Sequence, residues 1–205
     1  MADGGSALVS VRYDKNAALI PFMNKLANRC QPLQQIEMNI RLSSNNTAQQ
    51  IFEVFKNCKQ TMELENIFQW NESYPNFNNI LEDINNEQLY EIFCDNNIIG
   101  VICINNKQEP EYKKIDWSDK NGKALIIHRL AVNPLFQNKG FATKLMTFAE
   151  NYASNSDFTS IRLDAYSGNE KALKLYERRG YDRKGQIAFS GRSLPFFCFE
   201  KVIKK

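Results

Sequence analysis

The chain has 205 residues, 43% hydrophobic and 24% charged, which fits one domain with an appendage and excludes a two-domain dehydrogenase, a large barrel and a compositionally disordered chain. Its 26 basic and 23 acidic side chains leave a net charge of +3, too small and scattered for a nucleic-acid partner. One histidine, His128, and five cysteines (Cys30, Cys58, Cys94, Cys103 and Cys198) without C-x-x-C spacing argue against both a metal site and a disulfide framework.

Residues 1–37 read as an N-terminal extension without recognisable chemistry, and 38–205 as the domain proper; Met38 opens a strand-like run to Leu42. The apolar stretch 17–23 contains Pro21 and lacks a secretory cleavage pattern. No segment reaches the roughly 18–20 apolar residues of a membrane span, so a cytoplasmic protein with no membrane partner is expected. Ile51, Phe52, Val54, Phe55, Met62, Leu64, Ile67 and Phe68 follow a helical rather than an alternating pattern and predict one or two helices. Residues 89–94 and 98–104 are β-rich runs around Asp95-Asn96-Asn97, which is hairpin turn chemistry.

A polar loop, 105–123, carries Tyr112 and Trp117 and leads into the apolar run 124–132, a buried central strand ended by Pro134. Gly140 opens a helix with Leu145, Phe148, Ala149 and Tyr152 at helical spacing. Residues 160–166 alternate as a strand. Ser167-Gly-Asn-Glu170 has the form of a capping box, and the short helix behind it ends at Gly180 in a left-handed cap. Residues 181–189 and 194–203 close the order βααβββαβαββ, an α/β fold with a mixed sheet.

The informative stretch is Leu130-Ala-Val-Asn-Pro-Leu-Phe-Gln-Asn-Lys-Gly-Phe-Ala142, a strand feeding through a loop into a helix N-terminus. Such a terminus has backbone N–H groups without intrahelical partners and a partial positive charge, which suit a pyrophosphate. Gly140 offers no side chain to block the approach, and Lys139 adds a cation at the rim. The G-x-G-x-x-G and G-K-[ST] patterns of other phosphate binders are absent.

Leu-Ala-Val-x-Pro-x-x-Gln-x-x-Gly-x-Ala, followed by Asn169-x-x-Ala172-x-x-Leu175-Tyr176-x-x-x-Gly180-Tyr181, resembles the GNAT superfamily of acyl-CoA-dependent N-acetyltransferases. The resemblance implies a GNAT fold, with a central mixed, mostly antiparallel sheet flanked by helices and strands 124–132 and 160–166 splayed around a thioester. It implies acetyl-CoA as co-substrate and no metal. The main chain of Leu130, Ala131 and Val132 would pair with the pantetheine arm, and the amides of Gln137, Asn138, Lys139, Gly140, Phe141, Ala142 and Thr143 would cradle the pyrophosphate. Ala142 departs from the glycine of many members. Asn169 and Ala172 would line the arm, and Tyr176 would point its hydroxyl at the sulfur as the acid for the leaving thiolate. Homodimers are common in such families.

An amine with a pKa of about 10.4 must lose a proton before it attacks. Many family members use a glutamate on the central strand, but 125–130 has none, which leaves His128 as the titratable candidate. Alternation places it with Ile126, Leu130 and Val132. Asp164 is open to three readings: it orients His128, accepts from the amine, or pairs with Arg129 or Arg162. A water chain is an equal route. The acceptor pocket is expected from the early helices, the Trp117 loop and Phe196, Phe197 and Phe199, with Glu63, Glu65, Glu72 and Glu82 as attractors of a cation or as a solvated surface. The expected function is transfer of acetyl from acetyl-CoA to a primary amine of a small-molecule acceptor by direct attack. The rivals are a peptide or protein N-terminal acetyltransferase, which needs an open groove, and a non-catalytic acyl-CoA-binding module.

Overall fold

The computed structural model describes residues 40–94 and 97–203, so the expected extension 1–37 and residues 95 and 96 of the expected turn lie outside the described residues. In chain order the elements are β1 (Ile40–Leu42), α1 (Ala48–Leu64), α2 (Phe77–Asn85), β2 (Leu89–Cys94), β3 (Asn97–Asn105), β4 (Ala124–Val132), α3 (Phe141–Ser154), β5 (Ser160–Tyr166), α4 (Glu170–Arg178), β6 (Asp182–Ile187) and β7 (Phe196–Val202). Short 3-10 turns occupy Pro110–Lys114 and Pro134–Phe136.

The strands form one sheet in the order β1-β2-β3-β4-β5-β7-β6, antiparallel except for β4 and β5. The parallel pair is joined through α3, as a crossover requires. Both strands are buried almost throughout, which is why they read as continuous apolar runs. Val101, Cys103 and Ala131 join Ile51, Val54 and Phe55 of α1 and Ile80 and Ile84 of α2 in one core. A Cβ on Gly100, the neighbour of Val101 in the alternating strand, would strike Leu145 of α3 and the carbonyl of Ala131, so α3 covers the opposite face at close range.

The central strands separate as the resemblance implies. β4 and β5 pair only from Ala124↔Ser160 to Ile127↔Leu163. On the other side of β4, Arg129 pairs with Cys103 and Ile127 with Ile104, so His128 is the extra residue of a β-bulge. A bulge bends its strand and re-aims its side chain. The plain alternation expected across 126–132 is therefore broken at His128.

Two local expectations need correction. The helical pattern ends at Leu64, and Ile67 and Phe68 belong to the loop beyond α1. The box at Ser167 does not form: the Ser167 amide donates to the Pro195 carbonyl at 2.9 Å, and Asn169 caps α4 by accepting from the Ala172 amide at 3.1 Å. Cys58, Cys103 and Cys198 are buried free thiols.

Candidate active site

The opening between β4 and β5 leads into a cavity of about 710 Å³. Its lining includes Leu130, Ala131, Val132, Gln137, Asn138, Gly140, Phe141, Ala142, Thr143, Asn169 and Ala172, every residue expected at the cofactor except Lys139, and it includes Tyr176. Lys139 instead holds its ammonium 5.8 Å from the centre of the Phe136 ring.

The loop that turns into α3 is built from backbone. Asn138 and Gly140 have φ of 61° and 82°, left-handed values that let the chain reverse tightly. α3 starts at Gly140 with no side-chain cap, so its first amides keep no intrahelical partner. Gln137 folds back, its Nε2 donating to the Val132 carbonyl at 3.0 Å, and the Cys58 thiol donates to the same oxygen at 3.2 Å. Burial pushes that thiol up to about 12, so Cys58 lines the cavity as a protonated donor. A Cβ on Gly140 would meet nothing within 4 Å, so its requirement is conformational. Gly140→Val is expected to cost about 1–2 kcal/mol of stability through the left-handed φ, read from urea unfolding. The same variant should weaken acetyl-CoA binding by about tenfold or more, because the loop must relax.

A second cavity, about 270 Å³, adjoins the first and is walled by Trp70, Tyr74, Phe189 and Phe196, with Glu109, His128, Asp164 and Arg192 as its charged or titratable members. Among the described residues, only Gln69, Trp70 and Asp164 line both cavities. The two expected catalytic residues are thus in different chambers, Tyr176 in the first and His128 in the second, and Asp164 stands where they meet.

His128 directs Nε2 to Asn105 Oδ1 at 2.8 Å and Nδ1 to Glu109 Oε1 at 3.7 Å. Both ring nitrogens are therefore engaged by protein oxygens. Glu109 is held below the ordinary carboxylate range, chiefly by its hydrogen bond with His128.

Asp164 pairs with neither arginine. Arg129 is taken by Asp83 and by the Tyr74 hydroxyl at 2.7 Å, and Arg162 by Glu200 at 3.0 Å. What Asp164 has is the Tyr112 phenol, which donates to Oδ1 at 2.7 Å. Burial raises the Asp164 carboxyl to about 6, with the Tyr112 hydrogen bond and nearby His128 opposing the rise. It is the first β5 residue past the last β4 pairing, so the splay that opens the sheet also uncovers this carboxylate.

Tyr176 packs edge-on to Tyr181 at 6.2 Å and tilts against Phe199 at 5.9 Å. Its phenol is pushed well above its ordinary value by burial and then by the charge of Asp164. Trp117, expected at the acceptor, is instead a core residue beneath the loop, its indole donating to the Tyr112 carbonyl at 3.1 Å. Glu65 and Glu72 are tied to Lys171 and Lys59. The acidic groups of the second cavity are Glu109 and Asp164, and only Phe196 of the three expected phenylalanines lines it.

The model of the acetyltransferase (GNAT) family matches residues 48–181. The uncharacterised N-acetyltransferase YesJ of Bacillus subtilis is 32% identical over 45% of this chain and 49% of its own length. Streptothricin acetyltransferase of Escherichia coli is 26% identical over 52% of this chain and 53% of its own. The chain thus spans about half the length of these curated relatives. Among solved structures, a GNAT acetyltransferase of Streptococcus agalactiae superposes with a TM-score of 0.72 at 22% identity, covering 82% of this chain and 96% of that one. The PaiA N-acetyltransferase of Thermoplasma acidophilum, in complex with coenzyme A, does so at 0.63 and 19%, covering 82% and 100%. These two likenesses speak for the fold. With the family model spanning the cradle, the splayed strands and the α4 motif, the chain belongs to the GNAT acetyltransferase family.

Proposed function

We propose that this acetyltransferase moves acetyl from acetyl-CoA to the primary amine of a small molecule, with Asp164 as the proton acceptor and Tyr176 as the donor to the departing sulfur. The observation that carries this reading is the place of Asp164 at the junction of a large cavity and a small one. The residues fit the co-substrate: a strand edge at 128–131 left unpaired by β5 for an amide-bearing arm, and uncapped α3 amides for a pyrophosphate. Lys174 and Arg178 also line the cavity, adding cations for phosphates. Acetyl-CoA, when bound, supplies the acyl group as a thioester.

The amine arrives mostly as ammonium and must expose its lone pair. Asp164, ionised at pH 7 yet more basic than an ordinary carboxylate, takes the proton the nitrogen sheds, and Tyr112 holds it in position. Tyr176 begins as a weak acid, partly because Asp164 is charged. Once Asp164 is protonated that influence is gone, and the phenol becomes a better donor as the thiolate leaves. The buried thiols of Cys103 and Cys198, like that of Cys58, sit near 12, which supports direct attack without an acyl-cysteine.

The second cavity lies below the roughly 300–1,000 Å³ of sites for drug-sized ligands, which supports a small acceptor over an extended peptide. The test is release of the CoA thiol from acetyl-CoA over polyamines, aminoglycosides, amino acids and short peptides. Tyr176→Phe is expected to lower acceptor-dependent release by about tenfold or more while acetyl-CoA still binds. Unchanged release in that variant removes Tyr176 from the mechanism, and failure of the wild type to bind acetyl-CoA overturns the reading.

A further inference from the structure

The acceptor cavity has an uneven charge arrangement. Glu109 and His128 face each other at 3.7 Å, an ion pair when the imidazole is protonated. Two charges in the same cavity remain without an ion-pair partner among the described residues. One is Asp164, whose partner is a neutral phenol. The other is Arg192, whose Nε donates to the Gln69 carbonyl at 2.9 Å and whose Nη1 reaches the Gly191 carbonyl at 3.5 Å.

We infer that the acceptor is a primary amine that also carries a carboxylate, with the amine at Asp164 and the carboxylate at Arg192; this rests on the transfer reading above. The Nε bond holds the guanidinium in place, and Nη2, without a protein partner among the described residues, is left for a ligand oxygen. A planar guanidinium fixed at one edge matches a carboxylate in geometry as well as charge. Trp70, Tyr74, Phe189 and Phe196 line the same cavity and offer apolar wall for a linking carbon chain, Phe189 and Phe196 meeting edge-to-face at 5.0 Å. A diamine would bring a second ammonium against Arg192. A simple monoamine would leave Arg192 facing nothing of opposite charge. A zwitterion satisfies both ends.

Gln69 makes the arrangement dependent on the cofactor side as well. Its backbone carbonyl anchors Arg192, while its side-chain oxygen accepts from Asn169 Nδ2 at 3.0 Å, and Asn169 caps α4 in the first cavity. The carboxylate-binding end is therefore fastened to the helix that lines the co-substrate groove.

The experiment uses the full chain, acetyl-CoA and a series of ω-amino acids from glycine to 6-aminohexanoate, each with its primary amide and the diamine of equal length. Turnover is read by thiol release, and binding to the CoA-saturated protein by calorimetry. The best acid is expected to exceed its amide by about tenfold or more in kcat/KM, and Arg192→Gln to bring that ratio close to one by raising KM for the acid. Amides or diamines used as well as the acids by the wild type overturn the inference, as does a preference that survives Arg192→Gln. Acids that bind through Arg192 without turnover uphold it and refute the transfer reading. Acids that neither bind nor react overturn it, and leave the transfer reading to the wider amine panel.

Discussion

Asp164→Asn is expected to lower kcat by about 10²- to 10⁴-fold, the usual worth of a positioned acid or base, while acetyl-CoA binds within about twofold of wild type. The substitution keeps size and a hydrogen-bond acceptor for Tyr112 but removes the carboxylate proposed to take the amine's proton. The pH profile separates this from misfolding. A carboxyl raised to about 6 is protonated below that value and ionised above it, so wild-type activity should fall as the pH drops through about 6. In the Asn variant that fall should vanish. His128→Ala should retain it, since His128 spends its nitrogens on Asn105 and Glu109. If His128→Ala abolishes the limb and Asp164→Asn keeps it, the assignment of the base is reversed.

Glu200→Ala should have the largest effect on stability, about 3–5 kcal/mol by urea unfolding. Glu200 lies on β7 with its side chain fully buried, accepting from Arg162 Nε at 3.0 Å and from the Ser118 amide at 2.6 Å. Arg162 also donates to Gln108 Oε1 at 2.9 Å and to the Asp119 carbonyl, with its guanidinium 4.5 Å from the Trp117 ring. Truncating Glu200 leaves this cation buried without its counter-charge. It also loosens loop 105–123, which brings Glu109 and Tyr112 to the site, so residual folded protein should turn over slowly. A stability loss below about 1 kcal/mol would mean that solvent reaches the arginine.

The strand, loop and helix that line the first cavity were legible because they are local. Leu130 to Thr143 is one strand-loop-helix unit, and a binding mode that uses backbone amides depends on turn residues such as Gly140, which the sequence displays. Lys139 failed to line the cavity because a lysine beside an aromatic ring can turn outward and pack along it. The second cavity was far less legible. It is assembled from segments around Gln69, Glu109, His128, Asp164 and Arg192, which no periodicity connects.

Asp164 carried three readings in sequence, and choosing among them required knowing where both arginines go. That depends on Asp83 and Glu200, residues far away in the chain. The bulge at His128 and the end of the β4 and β5 pairing are likewise written in neither strand alone. Trp117 looked like substrate wall because an aromatic in a polar loop invites that reading, whereas it anchors the loop from beneath.

The separation of β4 from β5 has a bearing on solubility. Unpaired strand edges usually lie at the rim of a sheet, where they recruit other extended chains and seed aggregation. Here the unpaired edge is interior: β4 has no strand partner on this side from His128 to Val132, whose carbonyl Gln137 and Cys58 satisfy, while β5 continues beside it, paired on its far side with β7 from Ser160 to Tyr166. A slot five residues long, walled on both sides by its own sheet, is a poor template for a foreign strand. The molecule thereby keeps the hydrogen-bonding capacity of a sheet edge in the interior of its sheet and away from the rim.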